Sequence, residues 1–282
     1  MGTTMNTKIT TLIEDNPGEH LALHHEHGLS FYIEHGETTI LFDSGQGRNI
    51  LDNARELNID LRGLDHVVLS HGHYDHTNGI PFLVKEVTRD FTLHLHRDFM
   101  DKKYATDGAS LIYLGPSFDN PWLEKNGIAV NEVTGTGAEI APGVHLVCAF
   151  EPLHPLEVKN PRFVVQRPGS DTMEIDDFRD EVAIVLETEK GLVVLVGCSH
   201  PGIMNILSTI RKRFSQPVHA VLGGTHLVEA HGERLSEAVR YLEDGSIGVL
   251  GLSHCTGSEA MNILEKEGTP FYRNVAGTSL FS

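Results

Sequence analysis

Cysteine is scarce in this chain. Only Cys148, Cys198 and Cys255 occur in 282 residues, too few and too scattered for a disulfide framework. Positive charge is also short: 22 Lys and Arg face 39 Asp and Glu, a formal net charge of −17. That balance excludes a general nucleic-acid binder, which needs a basic face. A small anionic substrate remains compatible, because bound cations reverse the field locally. No segment approaches the ~20 apolar residues of a membrane span, so no membrane partner is expected. The start, Met1-Gly2-Thr3-Thr4-Met5, lacks the basic and apolar regions of a signal peptide, and the expected location is the cytoplasm. Tandem repeats, low-complexity tracts and long linkers are missing too. No pattern fixes an oligomeric state.

Histidine is what the chain has in quantity, with 18 residues. The run His71-Gly72-His73-Tyr74-Asp75-His76 follows the apolar stretch Val67-Val68-Leu69-Ser70. Three imidazoles and a carboxylate thus crowd the end of an expected buried strand. Neutral nitrogen donors with one oxygen anion are what a divalent transition metal needs. A purely structural zinc site is the weaker alternative, because such sites favour thiolate-rich closed tetrahedra.

The first half reads mostly as strands: 8–14, then 29–34 and 38–42 around a His35-Gly36-Glu37 turn, 66–69, 91–96 and 143–150. Helical spacing marks 49–57 and 77–87, the latter despite Pro81. The second half reads as a strand pair (181–188, 192–196) followed by alternating helices (203–213, 234–242, 259–267) and strands (218–222, 247–250). Strands lead and helices follow in each half, which predicts an α+β fold of two packed sheets with helices outside. One domain over 1–282 is expected, with irregular loop insertions near 97–126 and 151–180. Loops of that length are usually functional.

Three more expected strands end like the first. They run into Gly197-Cys198-Ser199-His200-Pro201-Gly202, Gly223-Gly224-Thr225-His226 and Gly251-Leu252-Ser253-His254-Cys255. If all four share one sheet direction, their polar ends converge on one edge, the usual site geometry of α/β architecture. His94, His96, His145 and His219 read instead as isolated, satisfied polar residues.

The run His71-x-His73-x-Asp75-His76 after an apolar strand resembles the signature of the metallo-β-lactamase superfamily. Asp43, in Ile40-Leu41-Phe42-Asp43-Ser44-Gly45, matches that family's early Asp-small-Gly turn, and His254 matches its last ligand. The Cys198, His226 and His254 loops further resemble its dihydropteroate synthase-like subgroup, typified by an archaeal dihydropterin–aminobenzene ribofuranosyl phosphate synthase. The resemblance implies a four-layer αβ/βα sandwich (the metallo-β-lactamase fold) with a dinuclear centre of two divalent metal ions. Zinc is the expected metal, with iron or manganese as alternatives.

Two positions depart from the family pattern. Asp176, Asp177 and Asp180 stand where a histidine is usual, and Cys198 stands where an aspartate usually bridges the metals. The resemblance therefore implies His71, His73 and His200 for one metal and Asp75, His76 and His254 for the other. Asp180, Cys198 and Asp43 are further candidates. Asp75 and His226 are the catalytic candidates, Asp75 orienting water and His226 assisting the leaving group, with His231 weaker. Tyr74, Glu26, His27 and Glu151 are substrate-binding candidates, and Arg97 and Tyr104 are expected to shape the pocket.

Three functions follow as expectations. The first is a metal-dependent hydrolase of a small-molecule ester, lactone, thioester or phosphoester. The second is a transferase joining a dihydropterin diphosphate to an arylamine, with Trp122 as its aromatic slot. The third is a metal or oxygen sensor, disfavoured by the lack of any flavin-binding segment.

Overall fold

The computed structural model describes residues 6–266 and 270–282. Two seven-stranded sheets lie face to face. The first runs in the order Ser279–Phe281, Thr7–Ile13, Ser30–His35, Thr38–Phe42, His66–Val68, Thr92–His96 and Ala129–Val133. The second runs Phe271–Arg273, Val249–Leu252, Val218–Gly223, Gly191–Val196, Ala183–Thr188, Val144–Val147 and Gly137–Ala141.

Strand periodicity explains this stacking. In Gly191–Val196, Leu192, Val194 and Val196 face the helices Ile203–Arg213, Gly232–Leu242 and Ser258–Lys266. Val193 and Leu195 face the other way, into the layer between the sheets. Successive side chains alternate faces, so a strand covered on both sides must be apolar throughout. Ile9, Phe31, Ile33, Ile40 and Phe42 meet Leu146, Ile184, Leu186 and Leu222 in that layer, all at 2% exposure or less. Each such side chain contributes roughly 1.5–3 kcal/mol by leaving water. Helices Asn49–Glu56 and Ile80–Glu86 cover the outer face of the first sheet through Ile50, Leu51, Leu83 and Val84. The result is the expected α+β, four-layer αβ/βα sandwich. Among the described residues no helix is long and apolar enough to cross a membrane.

Three expectations need correction. Residues 77–87 are not one helix: Tyr74–Thr77 and Ile80–Glu86 are separate, and Pro81 sits in the first turn of the second. Proline is favoured there because its missing N–H has no helical partner to lose. The C-terminal strands Phe271–Arg273 and Ser279–Phe281 were not expected, yet the latter closes the first sheet beside Thr7–Ile13, with Ile9 opposite Leu280.

The third correction concerns the insertions, which are irregular only in part. Lys102–Thr106 and Leu111–Tyr113 from the first pair with Phe163–Gln166 and Glu174–Ile175 from the second, forming a four-stranded sheet. Neither insertion carries the pattern alone, because the pairing joins segments some sixty residues apart, such as Tyr104 and Val164.

A buried ion cluster fastens this small sheet to the histidine loop. Lys103 Nζ lies 2.7 Å from Asp176 Oδ2 and 2.8 Å from Asp180 Oδ1, with all three side chains at 3% exposure or less. Asp180 Oδ2 accepts the backbone N–H of Gly72 at 2.8 Å. Lys103→Met strands two buried carboxylates and is expected to cost about 3–5 kcal/mol, read as a lower urea midpoint at unchanged slope. An unaltered midpoint would show that the cluster does not hold the sheet in place.

Candidate metal centre

Four loops meet at one end of the sandwich. His71 to His76 follow strand His66–Val68 of the first sheet. Cys198 and His200, His226, and His254 follow Gly191–Val196, Val218–Gly223 and Val249–Leu252, which are parallel neighbours in the second. The convergence therefore spans two facing sheets and not one sheet edge as expected. Gly197 makes the approach: a Cβ there would fall 2.1 Å from Ser70 Oγ, so any side chain would push the two loops apart.

Three donor sets gather here, two overlapping at Cys198 and a third of Asp15, His27 and His254. His71, Cys198 and His200 place one ligand atom each within 4.8 Å of one another, and so do His76, Cys198 and His254. Cys198 belongs to both. The His73 ring stands 4.6 Å from that of His71 and 4.9 Å from that of His200. Asp75 Oδ2 is 3.3 Å from His254 Nε2 and 3.6 Å from His76 Nε2.

These residues fit divalent ions. The Nε2 atoms of His71, His73 and His200 are buried without a hydrogen-bond partner, an arrangement that costs about 1–3 kcal/mol per group unless an ion takes the lone pair. Burial first, and neighbouring positive groups second, hold His71 and His200 well below the usual imidazole range, and burial does the same for His73. They are therefore neutral, the form a metal requires. Burial opposes ionisation of Asp75, but His76 and His254 outweigh it and pull the carboxyl well down. Burial and Cys255 push the Cys198 thiol well up, and coordination is what deprotonates such a group.

Buried carboxylates orient the donors. Asp43 Oδ1 accepts the Ser70 N–H at 2.7 Å, and Oδ2 accepts Ser70 Oγ at 2.7 Å and His76 Nδ1 at 2.6 Å. Ser70 Oγ in turn meets His71 Nδ1 at 2.8 Å. Asp43 thus turns Nε2 of His76, and through Ser70 that of His71, toward the centre, as outer partners of metal ligands do. Both Asp43 oxygens are taken up by these groups, and Lys103 and Gly72 likewise occupy the oxygens of Asp180.

Sequence reasoning missed several supports. Asp15 Oδ1 meets His254 Nδ1 at 2.7 Å, and Glu14 Oε1 accepts the His254 N–H at 2.7 Å. Glu181 accepts the N–H groups of Ser199 and His200 at 3.0 and 3.4 Å. Cys255 Sγ links the His226 N–H, at 3.3 Å, to the Cys198 carbonyl, at 3.5 Å. The available signal was position: Glu14-Asp15 also end a strand. Asp43, Ser199, His226 and His254 all have φ between 48° and 61°, the left-handed strain that collects at functional sites.

The remaining candidates divide. His226 stands 4.4 Å from His200, ring to ring. His27 lies beside Asp75 and His254, and half-buried Tyr74 is 6.4 Å from His27. Glu26 instead braces the following loop through the Gln46 N–H and Asn49 Nδ2. Glu151 is exposed and pairs with Lys212 at 2.9 Å. Arg97 and His231 are exposed. Tyr104 packs on Tyr113, and Trp122 packs on Phe118 beneath the first sheet. A cleft of about 450 Å³ opens beside His200 and His226, walled by Phe150 and Phe178, with Lys159, Arg179 and Arg234 among its lining.

Comparison with known proteins bears on this geometry. The model of the metallo-beta-lactamase superfamily matches residues 25–202. The 7,8-dihydropterin-6-methyl-4-(beta-D-ribofuranosyl)-aminobenzene-5'-phosphate synthase of Methanocaldococcus jannaschii is 30% identical over 276 residues, covering 95% of this chain and 93% of that protein. The crystal structure of a metal-dependent hydrolase of the beta-lactamase superfamily is similar at a TM-score of 0.84 and 30% identity, covering 97% and 98% of the two chains. Zn(2+)-bound PqqB from Methylobacterium extorquens shares the fold at a TM-score of 0.55 and 14% identity, covering 97% and 99%.

Asp43→Asn places an amide N–H₂ against groups that need an acceptor. It is expected to weaken metal binding about 10- to 100-fold, measured by competition with a chromophoric chelator. Wild-type affinity in this variant would remove Asp43 from its orienting role.

Proposed function

The chain belongs to the metallo-β-lactamase superfamily, and we propose that it is a metal-dependent hydrolase of a small molecule. The observation that carries this reading is the thiol of Cys198, shared between a His71/His200 set and a His76/His254 set. Two divalent ions, zinc first and iron or manganese as alternatives, would supply a polarised scissile group and activated water there. His73 and Asp75 complete the donors.

The chain's own groups account for the remaining work. Asp75, ionised by its imidazole neighbours, orients the attacking water. His226 lines the cleft beside His200, where it donates a proton to the departing group. Phe178 stacks on His200 at 3.8 Å and 8°, and Phe163 meets it edge-on at 5.2 Å, so the imidazole has little freedom to turn. The cleft volume suits a small ligand and neither a nucleic acid nor a membrane. Lys159 and Arg179 at its rim, both paired with Asp177, offer an anionic substituent cations in an otherwise acidic chain. Esters, lactones, thioesters and phosphoesters all fit this chemistry.

The archaeal synthase favours a second reading, a transferase joining a dihydropterin diphosphate to an arylamine. Trp122 lies outside the cleft, so Phe150 and Phe178 would have to hold the aromatic rings.

Metal-loaded protein is expected to turn over at least one of a phosphodiester, a lactone and a thioester probe. His226→Ala should keep its metal content and lose about 10²- to 10⁴-fold in kcat. Loss of metal in that variant would make His226 a ligand. Condensation of the pterin and arylamine, with no hydrolysis of any probe, would replace the hydrolase with the transferase.

A further inference from the structure

His27 and His254 are held by the same carboxylate. Asp15 Oδ1 lies 2.7 Å from His254 Nδ1, and Asp15 Oδ2 lies 2.9 Å from His27 Nδ1. The Gly28 N–H, at 3.1 Å, adds to the grip on Oδ1. An ionised carboxylate only accepts, so both imidazoles present Nδ1–H to Asp15 and turn Nε2 away from it. Both Nε2 atoms arrive at the same place: each is 3.3 Å from Asp75 Oδ2. His76 Nε2 is 3.6 Å from that oxygen and 3.2 Å from Cys198 Sγ.

Three imidazole nitrogens therefore surround one carboxylate oxygen. His254 Nε2 is buried, on a side chain 1% exposed, with Asp75 Oδ2 as its neighbour. The His27 ring lies 4.9 Å from that of His254 at 42°, and its side chain is 54% exposed, so this group closes the solvent side of the cluster. One carboxylate orienting two imidazoles toward a common point is the arrangement that outer partners give to metal ligands. Gly28 keeps His27 in place: its φ is 139°, and a Cβ there would fall 2.3 Å from the Asp75 carbonyl oxygen.

We infer that His27 is a ligand of the second metal position, joining Asp75, His76 and His254, and is not a substrate contact. The inference rests on the two-metal reading above.

The test is metal stoichiometry and affinity on the purified full chain, by elemental analysis and chelator competition, with visible spectra of the cobalt-substituted protein. In His27→Ala, the first equivalent should bind as in the wild type. The second should weaken on the order of a hundredfold or more, exceeding the 10- to 100-fold expected for loss of an outer partner in Asp15→Asn. The cobalt spectrum of the second equivalent should change with it. His27→Gln, which keeps bulk and polarity without an imidazole, should behave like His27→Ala and guards against misfolding. If His254→Ala loses the second equivalent while both His27 variants bind it normally, the inference fails and the two-metal reading stands. If His254→Ala and the His27 variants all bind as wild type, the two-metal reading falls as well.

Discussion

The contact on which the centre depends is the grip of the Asp43 carboxylate on Ser70 and His76. Asp43 is fully buried in a left-handed conformation at φ 58°, at the end of strand Thr38–Phe42. Its two oxygens take the Ser70 N–H, the Ser70 hydroxyl and His76 Nδ1. One side chain thereby fixes the loop after the neighbouring strand and aims two imidazoles. Gly197 of the facing sheet then seats against the same Ser70 hydroxyl. Sheet packing and donor geometry are thus settled at one point, and a shift in either would be felt in the other.

Carboxylates are nearly as numerous as imidazoles around the centre but mostly do not face it. Asp15, Asp43, Glu14, Glu181 and Asp180 spend their oxygens on Nδ1–H groups, backbone N–H groups or Lys103. Asp75 is the exception, with an oxygen turned toward three imidazoles. This division leaves a centre rich in imidazole nitrogen, with one thiol in its middle. Its preference for metal would be set by donor type and geometry more than by charge. The acidic residues around it contribute orientation, and the ions would contribute the positive field that the chain as a whole lacks.

The histidine signature was legible because its spacing is local. His71, His73, Asp75 and His76 sit in one loop and a single helical turn, so six residues of sequence contain their geometry. The roles of Asp43 and Asp180 were not legible. A buried aspartate near histidines reads as a ligand until its partners are known, and those partners lie 27 to 108 residues away in the chain. Asp15 was hidden for the same reason, since its imidazole partner His254 is 239 residues distant.

By itself the sequence determined the layer order and the metal-binding chemistry. Both are written in short-range patterns: apolar strands covered on two faces, helices of 3.6 period, and clustered imidazoles. Only the tertiary structure decided which donor side chains gather together, which carboxylates accept N–H groups around them, and that the two insertions pair into a sheet of their own. Those outcomes depend on contacts between segments that the chain separates by tens to hundreds of residues. Such contacts exist only after the two large sheets have closed on their common core.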